Sequence, residues 1–375
     1  MSMDAMTGII LTEDKETQLG VLTEKRAISA MPMAGRYRLI DFILSCMVNS
    51  GIRNVGVATQ FNYSSLMDHL GSGKDWDLSR KNSGLYILPP YLGRENTGKA
   101  DGDIDVLYGI GSFIRRTRPD YIVLSKGNTM YNTTFNEALA FHKQNHADIT
   151  ILYNCETQAS SETLARYTLL DVDDSGRVTD IMKNHPHPKG NKVSMDAYIC
   201  ERSFLINTIE NCIAHGEHDW VMDVLVKNVN RLKIYGYQFD GYVGRVDTID
   251  SYYQNNMNFL KPEIRRELFS STAKIYTKVK DQVPTHYGDH AKVVDSMVAD
   301  GCMIDGTVEN SVIFRGVHIG RGATVKNSIV MQNSVIQENC FVENVVLDKE
   351  VTLLAGKTVM GQPNYPFVIA KGNVI

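Results

Sequence analysis

Residues Ile319-Gly-Arg-Gly-Ala-Thr-Val325-Lys-Asn-Ser-Ile-Val-Met331-Gln-Asn-Ser-Val-Ile336-Gln-Glu-Asn-Cys-Phe-Val342 return an aliphatic side chain about every six positions. Gly, Asn, Ser and Thr fill the intervals. A six-residue period with an apolar lead predicts a parallel β-helix: each hexad makes one flat side of a coil and turns one aliphatic residue inward. Antiparallel hairpins would instead show a period of two and more turn dipeptides. The β-helix is expected over residues 290–375, with at least three coils.

Upstream the period changes. Thr7–Leu11, Asn54–Thr59, Tyr121–Ser125 and Asp148–Tyr153 read as short apolar strands. Leu39–Ser50, Asp103–Arg116 and Phe135–Gln144 between them carry apolar residues at helical spacing. This alternation predicts an α/β domain with a mostly parallel sheet over residues 1–260. Such sheets take ligands beyond the carboxyl ends of their strands. The charged stretch 261–289 reads as a connection.

Composition excludes several classes. Of 375 residues, 43% are hydrophobic and the formal net charge is −4, spread without long runs of either sign. That suits a protein with a full core and argues against nucleic acid as a partner. No apolar run is long enough to span a membrane, and Met1–Met6 lack a signal peptide's blocks. Six scattered cysteines without C-x-x-C spacing read as buried thiols of a reducing cytoplasm. His142 and His146 have helical i,i+4 spacing but no carboxylate motif, so a solvated helix face is expected there and no metal.

Longer strings carry a resemblance. Pro32-Met-Ala-Gly-Arg-Tyr-Arg-Leu-Ile-Asp-Phe42, Asn49-Ser-Gly-Ile52, Trp76-Asp-Leu-Ser-Arg80, Leu88-Pro-Pro90 and Gly241-Tyr242 with Asp247-Thr248 and Ser251-Tyr252 follow in order. They resemble segments of the bacterial glucose-1-phosphate adenylyltransferases, which convert ATP and glucose 1-phosphate to ADP-glucose and diphosphate. The resemblance implies a Rossmann-like nucleotidyltransferase domain followed by a left-handed parallel β-helix.

Against that family the departures fall where phosphate and metal are held. The family's glycine-rich phosphate loop reads Glu13, Asp14 and Glu16 at its three glycines, and Gln18 at its arginine. Bare backbone and a cation have become carboxylates and an amide, which repel a polyanion and block its approach. Ile28 replaces a lysine. The family's two Mg²⁺-binding aspartates become Asn128 and Arg245, a neutral amide and a fixed cation that cannot share a divalent ion. On the sugar-phosphate side, Asn184 takes the lysine position and Lys183, one place early, is the remaining candidate.

The resemblance therefore implies a catalytically deficient, regulatory-type chain of glycogen biosynthesis. Its expected partner is a catalytic subunit that supplies the Mg²⁺, in a heterotetramer, with homo-oligomers possible for the chain alone. Arg36, Arg38, Trp76 and Arg80 lie in intact segments that the family uses to connect activator binding with catalysis, and are the regulatory or anion-binding candidates. Two other readings stay open: an active adenylyltransferase with a divergent site, and a non-enzymatic sugar-phosphate sensor or scaffold.

Overall fold

The computed structural model describes residues 6–12, 18–90, 100–157, 159–269 and 273–375. The chain divides into two compact units, one of Met1–Glu13, Phe42–Phe61 and Gly71–Val243, the other of Asp14–Asp41, Asn62–Leu70 and Gly244–Ile375.

The first unit is built on a nine-stranded sheet. Its strands are Met6–Leu11 (β1), Asn54–Ala58 (β2), Gly84–Leu88 (β3), Tyr121–Lys126 (β4), Ile149–Cys155 (β5), Thr168–Val172 (β6), Val178–Lys183 (β7), Lys192–Glu201 (β8) and Ile234–Gln238 (β9). The order is β7-β6-β8-β4-β1-β2-β3, with β5 pairing β8 and β9. β4, β1, β2 and β3 run parallel, while β8 runs antiparallel to β4 and β5. Continuous burial along β1 is what a strand covered on both faces requires.

The helix expected over 103–116 is two, Asp103–Gly109 and Gly111–Arg116, parted at Ile110. Glycines on both sides of Ile110 weaken a continuous helix there. His142 is buried rather than solvated, its Nδ1 at 2.9 Å from Thr150 Oγ1. All six cysteines are free thiols, and Cys155 is exposed where burial was expected. Among the described residues no helix is long and apolar enough to cross a membrane.

In the second unit, three five-stranded parallel sheets wind into a left-handed parallel β-helix that begins at His286–Tyr287. Val308, Val325 and Val342 stack in register inside it, each fully buried. Ile319 and Ile336 line the next wall. The third wall is Ile313, Val330 and Leu347, so Val330 rather than Met331 enters the interior. The reason is a coil of 17 residues here, seen in the Ser311–Ser328–Val345 ladder: one of its three sides is a residue short of a hexad. Asn310, Asn327 and Asn344 stack at one corner with φ of 44°, 44° and 54°. Asparagine tolerates this left-handed conformation, which explains the Asn content of the hexads.

The same unit holds the Pro32–Arg38 hairpin against the helix Ile249–Asn258. The Tyr252 hydroxyl donates to the Pro32 carbonyl at 2.7 Å, and the Ala34 N–H donates to Asn256 Oδ1 at 3.1 Å. Thr248 caps the helix, accepting from the Ser251 N–H at 3.1 Å.

Candidate functional site

The hairpin pairs Met33 with Tyr37 and Pro32 with Arg38, so Arg36 and Arg38 part company. Arg36 is exposed and stacks over Tyr37, 5.8 Å from the ring centroid. Arg38 turns inward and is buried. Its Nη1 donates to the Ser65 carbonyl at 2.6 Å and to Ser65 Oγ at 2.9 Å, on the short helix Ser64–Leu70. Its N–H donates to Asp41 Oδ2 at 2.9 Å, and the other Asp41 oxygen meets His69 Nε2. One edge of the guanidinium is thereby fixed, and the burial of Arg38 is the main reason its pKa falls to about 10.

Around Arg38 the fold gathers cations from remote parts of the sequence. Arg26, buried, pairs with both oxygens of Asp348. Lys349, half-buried, is pushed down to about 7 by its own burial and by the charges of Arg38, Arg26 and Lys280, with Asp348 opposing. Lys280, exposed at the rim, is lowered by desolvation and then by Arg38, Lys278 and Arg315, with Asp68 opposing. Arg315 is buried: Nε donates to Asp300 Oδ1 at 3.1 Å, and Nη2 has no hydrogen-bond partner among the described residues. Asp348 is engaged by Arg26, Asp68 by Lys278 and Asp300 by Arg315. Burial first, and neighbouring cations after it, lower the pKa values of Arg38, Lys280 and Lys349; with the adjoining carboxylates already engaged, such an environment suits a multivalent anion.

Of the four regulatory candidates, only Arg38 sits in this cluster. Trp76 is 1% exposed and belongs to the core of the first unit. Arg80 is bound to its own neighbour, Asp77, through the side chain and through the Asp77 carbonyl at 2.8 Å. Arg26, Lys280, Arg315 and Lys349 escaped the sequence reading. One signal was visible: Val345-Val-Leu-Asp-Lys349 sets two charges at the end of an apolar run.

The positions that depart from the family's phosphate and metal pattern lie apart in the sequence. Glu13, Asp14 and Glu16 lie outside the described residues. The Gln18 N–H donates to the Asp247 carbonyl at 2.6 Å. Ile28 is 3% exposed in a short 3-10 turn, a hydrocarbon in a dry setting. Asn128 is buried just past the carboxyl end of β4, where an open parallel sheet presents its ligand site. Arg245 is buried too, its carbonyl accepting from Asn255 Nδ2 at 2.8 Å. Neither side chain by itself supplies the anionic oxygen that Mg²⁺ favours. Among the described residues, no three His, Cys, Asp or Glu side chains gather to hold a metal. Lys183 is bound to Asp219, Nζ to Oδ2 at 2.8 Å.

Comparison with known proteins gives the family. The nucleotidyl transferase family model matches residues 7–261, and the GlmU-like C-terminal hexapeptide model matches residues 280–364. The fold and its sequence therefore define a member of the nucleotidyl transferase family. Glucose-1-phosphate adenylyltransferase of Thermosipho africanus (strain TCF52B) is 36% identical over 86% of this chain and 78% of its own. That of Clostridium perfringens (strain SM101 / Type A) is 34% identical over 87% and 84%. Glycogen biosynthesis protein GlgD of Bacillus subtilis (strain 168) is 36% identical over 100% of this chain and 98% of its own. This chain belongs to the glycogen-biosynthesis family of glucose-1-phosphate adenylyltransferases and GlgD.

Proposed function

We propose that this chain is a non-catalytic, regulatory subunit that assembles with a motif-intact glucose-1-phosphate adenylyltransferase and carries an anionic-effector site. The observation that carries the reading is Arg245: a buried, permanently charged guanidinium at a position where the family holds Mg²⁺ with a carboxylate. Asn128 removes the second carboxylate, and Gln18 and Ile28 remove phosphate-binding cations. Metal bridging of phosphates contributes several kcal/mol of transition-state stabilisation, so its loss alone lowers the rate by orders of magnitude.

The basic cluster around Arg38 supports the regulatory half. A chain that has lost phosphate-binding charge at its catalytic positions yet gathers Arg26, Arg38, Lys280, Arg315 and Lys349 elsewhere keeps anion recognition for another purpose. An effector acts on a partner's catalysis only through contacts that differ between two states of the assembly.

The test is an ADP-glucose synthesis assay on the isolated chain with ATP, glucose 1-phosphate and Mg²⁺. The expected result is no product above background. Metal-dependent turnover within the ordinary range of about 1–1000 per second would overturn the reading.

A further inference from the structure

One face of the helix Arg202–Ala214 opens on a cavity of about 270 Å³ in the first unit. Phe204, Asn207, Thr208 and Asn211 line it at the spacing that puts side chains on one helical face. Phe204 and Thr208 are half-buried, Asn207 and Asn211 exposed. The Asn211 backbone carbonyl accepts from His215 Nδ1 at 2.8 Å, but the side chains of Asn207, Thr208 and Asn211 have no hydrogen-bond partner among the described residues. More of the lining comes from the π-helix Trp220–Val226 and the turns on either side of it. Asn228 donates through Nδ2 to the carbonyls of Asp223 and Val224, at 3.2 and 3.0 Å, which leaves its Oδ1 as an acceptor. The two lining carboxylates, Glu217 and Asp223, share one cation: Lys227 Nζ lies 2.9 and 2.8 Å from them. π-Helical turns recur at functional sites.

We propose that this cavity binds a neutral sugar, with Phe204 against one face of a pyranose ring and Asn207, Thr208, Asn211 and Asn228 around its hydroxyls. A free amide side chain both donates and accepts, as does the threonine hydroxyl, which matches sugar hydroxyls that do the same. The C–H face of a pyranose is apolar and gains from cover by an aromatic ring. Charge selects among ligands. The lining carries two carboxylates and no cation of its own, so a phosphate would enter against net negative charge and a sugar phosphate or nucleotide is disfavoured. Geometry selects too. Successive side chains leave a helix roughly 100° apart, so Asn207, Thr208 and Asn211 do not share the single plane that a nucleobase edge requires, whereas ring hydroxyls radiate in several directions. The inference is independent of the cluster around Arg38, which belongs to the other unit.

The uncharged disaccharides maltose, lactose and sucrose are the probes. Saturation-transfer NMR of the full chain detects weak binding of each, and its concentration dependence gives a Kd. The expected result is saturable binding of at least one of them by the wild-type protein. Asn207→Ala with Asn211→Ala should weaken that binding by about tenfold or more, through the loss of two hydrogen-bonding side chains. Both positions are exposed on a helix, where alanine is favourable, so the melting temperature should hold. Thr208→Val, which keeps the shape and removes the hydroxyl, should weaken binding several-fold, and adenosine should not displace the sugar. No saturable binding of any of these sugars, a Kd unmoved in the double variant and in Thr208→Val, or displacement by adenosine overturns the proposal and leaves the regulatory reading standing.

Discussion

Arg26 grips both carboxylate oxygens of Asp348 through Nη2, at 2.8 and 2.9 Å, with the two side chains only 4% and 1% exposed. A buried pair of this kind gains little over an apolar pair, but breaking it strands a charge. Asp348→Asn is therefore expected to lower the stability of the second unit by about 3–5 kcal/mol. Arg26→Met with Asp348→Leu should cost distinctly less than the single change. Chemical denaturation of the three proteins checks the order.

Lys349 should behave in the opposite sense. Its folded pKa of about 7 lies below the 10.5 of an exposed lysine. Between these values the unfolded chain binds more protons than the folded one, so folding stability rises with pH there and is lowest below about 7. Lys349→Met removes that penalty and should raise stability at pH 7 by about 1–3 kcal/mol, each pKa unit being worth about 1.4 kcal/mol. Sulfate binding should weaken in the same variant. A lower melting temperature for Lys349→Met at pH 7 would contradict the strained charge.

His142 provides a second pH signature, in the first unit. Burial lowers its pKa to about 4, with Asp148 raising and Lys143 lowering. An unfolded histidine titrates near 6.5, so protons are taken up on unfolding between these values. Stability should therefore decline from about pH 6.5 to about pH 4, by up to about 3 kcal/mol from this residue. His142→Gln should lack that part of the decline, measured as melting temperature against pH.

The β-helix was legible because its hexads report one geometric fact, an aliphatic residue per flat side. The misplacement of Met331 shows the limit of that signal. Val330 and Met331 are both apolar and both buried, and only the 17-residue coil, visible once strands are paired, decides which enters the interior. The sheet strands were legible from apolar runs, while the break at Ile110 needed local backbone geometry. In the site, Arg36 and Arg38 stood out together as two charges in an intact segment, and only the fold shows that Arg38 turns inward while Arg36 stays exposed. Arg26, Lys280, Arg315 and Lys349 did not, because tertiary folding alone brings segments so far apart in sequence together. Trp76 misled for the converse reason: a large aromatic in an intact motif is as well explained by a core as by a ligand surface.

Val325 tests the β-helix register. It is fully buried between Val308 and Val342 in adjacent coils. Val325→Asp places an unpaired carboxylate in that stack at a cost of several kcal/mol, and should unfold the module. Thr324→Asp, at the neighbouring outward position, should be tolerated. Equal thermal stability of Val325→Asp and wild type would refute the register.

Restoring one metal ligand should not restore chemistry. Arg245→Asp, or Arg245→Asp with Asn128→Asp, leaves Gln18 and Ile28 in place, so ADP-glucose synthesis by these variants is expected to stay at background. Full turnover on restoring the two carboxylates alone would locate the entire deficiency in the metal site.

The central claim is that this chain works through a catalytic partner, and one mixing experiment tests it directly. The purified chain is combined with the motif-intact glucose-1-phosphate adenylyltransferase of the same cell, and assembly size and ADP-glucose synthesis are measured for each protein alone and together. A coupling of about 1–3 kcal/mol, usual for linked sites, corresponds to roughly five- to 150-fold. The account predicts co-elution as one hetero-oligomer and activation or tighter substrate binding within that range. Separate elution, with the partner's rate and substrate affinity unmoved, would contradict it.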